Sequence, residues 1–222
     1  MEKMKHMDRY QKAAFKAIIE KYISFHWKSV VSKQGGRKHT ILDLIATVYA
    51  IKSNDFFRAR AIGNVNEREL RDVLTDNEIS VLVSNFGLLL GYAYKHYMSS
   101  FNEHIFEDPS GSLLKIISCI TPLKDGDRVL VPYSGGLRLA FMNKNCTFEL
   151  PSRNVRNNAL CDIAREETDI QAYHIESSIE ECLVEAEKSH TKYDHIIAIP
   201  SWIGDLIPEE DQYAGLKERL IR

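Results

Sequence analysis

One stretch decides the fold, KDGDRVLVPYSGG at residues 124–136. It opens with a turn at Asp125-Gly126, continues as an apolar run, and closes on Gly135 and Gly136. An apolar run that ends in a small glycine loop is typical of a buried strand leading into a helix. We therefore predict a strand from Arg128 to Pro132 with a loop at its carboxyl end.

Beyond this stretch, short apolar runs alternate with segments of helical periodicity. The pattern predicts strands at 128–132, 146–150, 170–175 and 195–199, and helices at 137–142, 154–165 and 179–188. Strands that alternate with helices indicate a parallel sheet covered on both faces. The predicted class is α/β, with a helical N-terminal domain at residues 1–105 and a partial Rossmann-like parallel sheet at 106–222.

The first hundred residues have the spacing of helices. Phe15, Ile18, Ile19, Tyr22 and Ile23 recur at intervals of three and four residues, which places them on one helix face. A capping-box pattern, Thr40 with Asp43, predicts the start of a second helix. The same pattern at Thr75 with Glu78 predicts the start of a long helix that runs through Met98.

Composition and charge narrow the class of protein. Hydrophobic content of 44% and charged content of 27% are ordinary for a globular chain. No apolar stretch is long enough to span a membrane, and the N-terminus has no secretory h-region, so we expect a cytoplasmic protein without a membrane partner. The four scattered cysteines indicate free thiols, and we predict no metal site.

The net charge of −2 conceals a basic N-terminus. The first 40 residues contain ten lysines and arginines against three carboxylates. Such a segment can contact nucleic-acid phosphates, or it can form an ordinary solvated helix face. Its lysines are spread around the helix, which favours the solvated face.

The loop after the first strand is a candidate ligand site. In open α/β sheets, ligands bind beyond the carboxyl ends of the strands. Glycines there allow the backbone to approach a ligand closely, although a plain turn explains Gly135 and Gly136 as well. The next strand ends at Glu149, and a carboxylate at that strand end can accept both ribose hydroxyls of a nucleoside. The alternative is a surface glutamate at a strand exit.

The next two strand ends also carry candidate residues. The third strand ends at Glu176-Ser177-Ser178, which can bond an adenine ring or cap the following helix together with Glu180 or Glu181. The fourth lies in YDHIIAIPSW, residues 193–202, and ends at Ile199, Pro200, Ser201 and Trp202. A tryptophan there can stack on a base, or it can belong to a core.

The order and spacing of these elements resemble those of adenine-specific DNA methyltransferases, in particular the modification subunit of type I restriction systems. That family has a helical N-terminal domain, a lead-in helix comparable to the one after Asp108-Pro109, a glycine loop after the first strand, and an Asn-Pro-Pro-Phe loop after the fourth. The resemblance implies S-adenosylmethionine as cofactor. It implies binding by Pro132, Tyr133, Ser134, Gly135, Gly136, Glu149, Glu176 and Ser177, and catalysis at Ile199, Pro200, Ser201 and Trp202.

The chain departs from the family at two positions that matter for chemistry. Val131 stands where the family has Asp, and the glycine loop is one residue shorter. Ile199 stands where the family has the catalytic Asn, and Ser201 replaces the second Pro. Ile cannot hydrogen-bond the amino group of a flipped adenine, and the loss of one such contact costs about 10²–10³ in rate. Pro200 keeps its carbonyl, and Trp202 can still stack on the base.

The resemblance predicts a DNA adenine methyltransferase with DNA and the specificity and restriction subunits as partners, here an N-terminal portion inactive alone. The alternative, favoured by Val131 and Ile199, is a catalytically silent methyltransferase-like module that serves in binding or assembly. Another nucleoside-binding α/β protein, such as a dehydrogenase, is disfavoured because the third glycine of the dinucleotide fingerprint is missing.

Overall fold

The computed structural model describes residues 7–29, 36–97, 111–132 and 136–198. The chain forms two compact units, Met1–Met98 and Ser99–Arg222. The described part of the first unit is helical, and the second contains a parallel sheet with helices, so the predicted α/β class is confirmed. The lead-in at Asp108-Pro109 lies outside the described residues. Within those ranges, no helix is long and apolar enough to cross a membrane.

The first unit is built around its second helix. That helix is α2, which packs against each of the other helices described in the unit, and its residues Ile41, Leu44, Ile45 and Val48 are fully buried. The helices are α1 (Arg9–Ser29), α2 (Gly36–Ser53), α3 (Phe56–Ile62), α4 (Glu67–Val73), α5 (Asp76–Ser84) and α6 (Phe86–His96). A central helix that is apolar on most sides is the expected core of such a bundle.

Two predicted helix boundaries are wrong in this unit. Thr40 does not cap a helix, because α2 already begins at Gly36 and Thr40 lies inside it. The Asp43 carboxylate instead accepts a 2.7 Å hydrogen bond from the Asn64 backbone N–H. The box at Thr75 and Glu78 is confirmed at the start of α5. The predicted long helix breaks at Asn85, whose side chain donates to the Val81 carbonyl and competes with helical bonding.

The second unit follows the predicted alternation of strands and helices. Its elements are α7 (Gly111–Ile120), β1 (Arg128–Leu130), α8 (Gly136–Met142), β2 (Thr147–Pro151), α9 (Val155–Glu167), β3 (Gln171–Ile175), α10 (Ile179–Lys188) and β4 (His195–Ile196). The predicted boundaries agree to within about two residues, except that the fourth strand, predicted to reach Ile199, ends at Ile196; Ile199 itself lies outside the described residues.

The four strands in the described part of the chain are parallel and stand in the order β3-β2-β1-β4. The chain adds β2 and β3 on one side of β1 and then crosses back to place β4 on the other side. This order is that of the first half of a doubly wound nucleotide-binding fold. The direction of winding reverses between β1 and β4, and the crevice at such a reversal is where ligands bind in open α/β sheets.

The two faces of the sheet differ in polarity. Val129, Phe148 and Ala172 are register partners on one face, and all three are fully buried. Helices α8 and α9 pack against β2 and β3. The opposite face holds Glu149 and Tyr173, which are also register partners. The face with Val129 is therefore apolar at these positions, and the opposite face combines the buried Leu130 with polar side chains.

Candidate functional site

The candidate site is the carboxyl edge of the sheet, where β1 and β4 lie side by side. The Ile197 N–H donates to the Leu130 carbonyl at 2.9 Å, which brings the chain after β4 level with the end of β1. Both stretches singled out in the sequence therefore lead to one edge. Tyr133, Ser134 and Gly135 of the first, and Ile199, Pro200, Ser201 and Trp202 of the second, lie outside the described residues.

The two described ends of the first loop are apolar. Pro132 and Val131 are buried. Gly136 is the first residue of α8, and a Cβ built there would lie 2.1 Å from Cδ2 of Leu150. The observed reason for glycine at this position is therefore the close approach of α8 to β2, and a ligand is not needed to explain it. At position 131 the valine offers no polar side chain to the site.

Glu149 lies level with the end of β1, but it is not at the end of its own strand. It is the register partner of Leu130, and its carbonyl accepts a 3.0 Å bond from the Val131 N–H. Strand β2 continues for two residues to Pro151. The backbone of Glu149 is thus beside the start of the glycine loop, whereas its carboxylate bonds Arg128 at the start of β1 and Tyr193 before β4.

Two residues hold that carboxylate. Arg128 donates from Nε to Oε1 at 2.8 Å and also from Nη2 to the same oxygen. Tyr193 donates its hydroxyl to Oε2 at 2.7 Å. The Arg128 guanidinium also lies over the Tyr193 ring, 5.1 Å from its centroid. Strands β1 and β2 and the turn before β4 are therefore joined by one polar cluster.

Three neighbours of the Glu149 carboxylate have raised pKa values. The hydrogen bond to Glu149 raises the pKa of Arg128. Burial, and then the hydrogen bond to Glu149, raise the pKa of Tyr193 above its ordinary value. Burial, followed by the charge of Glu149, raises the pKa of the Cys182 thiol on α10. All three side chains therefore favour their protonated forms beside the carboxylate.

The end of β3 contains the second group of predicted ligand residues. The Ile175 carbonyl accepts from the Ser177 N–H at 2.8 Å and from the Ser152 N–H at 2.9 Å, so the turns after β2 and β3 lie together. Ser178 caps α10 in a capping box with Glu181, which confirms the capping interpretation for that serine. The neighbouring Ser177 does not take part in this cap.

Two buried polar atoms near this end of the sheet lack a hydrogen-bond partner among the described residues. The hydroxyl of Ser177 is buried and finds no hydrogen-bond partner among the described residues, and the same holds for Oδ1 of Asn158 in the first turns of α9. Glu176 is exposed. Buried polar atoms without partners are rare in folded proteins, and a bound ligand is one way to satisfy them. No cluster of His, Cys, Asp or Glu within the described ranges could hold a metal ion.

These residues fit a nucleoside in part. Ser177 and Glu176 are available to one, whereas Glu149 is already engaged by Arg128 and Tyr193. Sequence reasoning missed Arg128, Tyr193 and Asn158. Arg128 and Tyr193 are in the two quoted stretches, but their meeting at Glu149 depends on strand register. For Asn158, the sequence offered a single indication, namely its position one turn into a helix that follows a strand.

Comparisons with protein-family models, with curated proteins and with solved structures found no significant match to this chain.

Proposed function

We propose that this chain is an S-adenosylmethionine-binding module of the adenine-specific DNA methyltransferase class, with its nucleoside site at the carboxyl edge of the sheet. One observation carries the proposal: the sheet order β3-β2-β1-β4 puts a winding reversal between β1 and β4. The two stretches that resemble the cofactor and catalytic motifs of the family lead to that reversal. Open α/β sheets bind ligands at such a position.

The residues assigned to the cofactor are those around β1, β2 and β3. Backbone groups of residues 132–136 would approach it, and Glu176 and Ser177 would contact its adenosine moiety. The unpartnered hydroxyl of Ser177 supports this role, and so does the exposure of Glu176. The cofactor would supply an electrophilic methyl group. Glu149 would join the site only after exchange of one of its present partners.

DNA is the proposed substrate, on the basis of the family resemblance. Pro200 would accept from the adenine amino group through its carbonyl, and Trp202 would stack on the flipped base. Ile199 supplies no hydrogen bond, so the proposed methyl transfer is slow, by about 10²–10³ relative to an Asn at this position. The proposed partners are the specificity and restriction subunits of a type I system.

A second candidate is a catalytically silent methyltransferase-like module for binding or assembly. The observation that favours it is the engagement of Glu149 by Arg128 and Tyr193, together with the buried Val131. Such a site has no polar side chain at Val131 or Ile199, and its Glu149 carboxylate is already paired within the protein. It can persist because it stabilises the fold.

Two assays on one set of proteins separate these functions. The first is calorimetric titration of S-adenosylmethionine, with Ser177→Ala as the site variant and the exposed Ser189→Ala as its control. The second is transfer of a labelled methyl group to adenine-containing DNA, comparing the wild type with Ile199→Asn. We expect saturable binding weakened by Ser177→Ala alone, and transfer that increases about 10²-fold in Ile199→Asn. Binding without transfer in either protein selects the silent module. No binding by the folded chain rejects the S-adenosylmethionine-binding proposal and favours a module that serves in assembly.

A further inference from the structure

The hydrogen-bonding capacity of the Glu149 carboxylate is almost used up. A carboxylate has about four lone-pair positions, two on each oxygen. Arg128 fills both positions on Oε1 through Nε and Nη2, and Tyr193 fills one on Oε2. Counting every residue that the structure describes, one position remains. A ribose offers two hydroxyl donors, so Glu149 cannot accept both while its present partners stay in place.

The carboxylate is also sheltered by its surroundings. Its side chain is 13% exposed, whereas that of Arg128 is 43% exposed. The Arg128 guanidinium stacks on the Tyr193 ring, so the two donors support each other. Cys182 of α10 is buried beside the same pair. Side chains from β1, from the turn before β4 and from α10 therefore surround the Glu149 carboxylate.

We propose that Arg128 and Tyr193 form a lock on Glu149, and that a nucleoside gains this carboxylate only by displacing the Tyr193 hydroxyl. The inference rests on the proposed nucleoside site and adds a contact that opposes binding there. Tyr193 is the partner that yields, because a neutral hydroxyl binds a carboxylate less strongly than a guanidinium that donates twice.

Ligand exchange, and not protonation, opens this lock. Tyr193 and Arg128 both have pKa values raised above their ordinary ones, so both remain donors throughout the physiological range. A ribose hydroxyl can replace the phenol with little change in charge. Once the phenol has left, Oε2 has two positions free and the ribose can be held by both of its hydroxyls.

Removal of the phenol hydroxyl tests the lock. Tyr193→Phe keeps the ring that stacks on Arg128 and deletes the competing donor. Its matched control is Tyr173→Phe, because Tyr173 is the register partner of Glu149 on the same face but donates its hydroxyl to Gln171 at 2.9 Å. The ligands are S-adenosylmethionine, adenosine and 2′,3′-dideoxyadenosine, each titrated by calorimetry into proteins whose folding is confirmed by circular dichroism.

We expect Tyr193→Phe to bind S-adenosylmethionine and adenosine about tenfold more tightly than the wild type, which corresponds to roughly 1.4 kcal/mol. Affinity for dideoxyadenosine should not change, because that ligand lacks the hydroxyls that Glu149 would accept. Tyr173→Phe should behave as the wild type, and Glu149→Ala added to Tyr193→Phe should remove the gain. If Tyr193→Phe fails to fold, Arg128→Lys is the second variant, since it leaves fewer donors on Oε1 and should tighten binding in the same direction.

The outcomes distinguish failure of the lock from failure of the proposed nucleoside site. If the wild type binds S-adenosylmethionine and Tyr193→Phe binds equally or more weakly, the lock is rejected and the proposed function stands. A gain that is the same for adenosine and dideoxyadenosine also rejects the lock, because it would not act through the ribose. If none of the folded proteins binds any of the three ligands, the proposed nucleoside site is rejected and the lock with it.

Discussion

Tyr193 donates its hydroxyl to Glu149 at 2.7 Å, across 44 positions of sequence. The bond joins the turn before β4 to the middle of β2, and β1 lies between the two strands. Arg128 at the start of β1 completes the connection by donating to the other carboxylate oxygen. Strands β1 and β2 and the turn before β4 are thus fixed to one another through the single side chain of Glu149.

The Tyr193–Glu149 bond should be visible as a coupling free energy. The two substitutions are Tyr193→Phe and Glu149→Gln, made singly and together. The double variant should lose less free energy of unfolding than the sum of the losses in the two single variants. The expected coupling is about 1.5 kcal/mol, because a hydrogen bond to a charged group is worth somewhat more than a neutral one. Urea unfolding of the four proteins measures it. The pair Tyr173→Phe and Glu149→Gln should be additive, and a coupling at Tyr193 no larger than at Tyr173 would contradict the account.

In the native chain, one cysteine thiol should react rapidly with a disulfide reagent and the other three slowly. All four are free; Cys119 is exposed, whereas Cys146, Cys161 and Cys182 are buried. Burial raises the pKa of all three buried thiols, that of Cys161 to about 12. Because the thiolate is the reactive form, a disulfide reagent should titrate one thiol rapidly in the native chain and four in urea. Cys119→Ser should abolish the rapid phase. Two or more rapid thiols in the native chain would contradict the burial described here.

The start of α5 should lose stability in acid through Glu78. A hydrogen bond from Lys21, and then one from the Thr75 backbone N–H, lower the pKa of this carboxyl. A lowered native pKa favours the charged form in the folded state. The contribution is therefore complete above the unfolded value of about 4.3 and is lost as the pH falls through the native value.

Comparison of Glu78→Gln with the wild type isolates this effect. The difference in unfolding free energy between the two proteins should be largest near about pH 6 and should shrink towards about pH 3. Asp72→Asn removes an exposed carboxylate with no hydrogen bond among the described residues and serves as the control. An equal pH dependence of the two differences would show that Glu78 has no special role.

Gly136 should be required for packing. A Cβ at this position would meet Cδ2 of Leu150, so Gly136→Ala should cost about 1–2 kcal/mol by overpacking. Leu150→Ala makes room, and the cost of Gly136→Ala should be smaller in that background. Denaturant unfolding of the two single variants and the double variant tests this. Full additivity would mean that Leu150 is not what excludes a side chain here.

The sequence was sufficient for the order of elements in the second unit, for the cap at Thr75, and for a cap before α10 that it left open between Ser177 and Ser178. These depend on local signals, namely apolar periodicity and the pairing of a hydroxyl with a glutamate three residues later. Local signals also misled: Thr40 with Asp43 has the form of a cap, but the preceding residues continue the helix and Asp43 bonds Asn64 instead. The break at Asn85 depends on a side chain that competes with its own backbone.

The state of the candidate site could not be read from the sequence. Glu149 was expected at the end of the second strand, but β2 continues for two residues to Pro151. Its pairing with Arg128 and Tyr193 depends on which residues of three strands share a face, and a shift of register by one residue would have separated them. The free hydroxyl of Ser177 depends in turn on the neighbouring Ser178 being the cap.

The measurement that tests the central claim most directly is a map of backbone amide chemical shifts during titration with S-adenosylmethionine. The account predicts that the affected amides cluster at the carboxyl edge, at Val131, Gly136, Ser177 and Ile197, with a saturable dependence on concentration. Amides of α1 to α6 should be unaffected. Changes confined to those helices, or no change in a well-folded chain, would contradict a nucleoside site at the winding reversal.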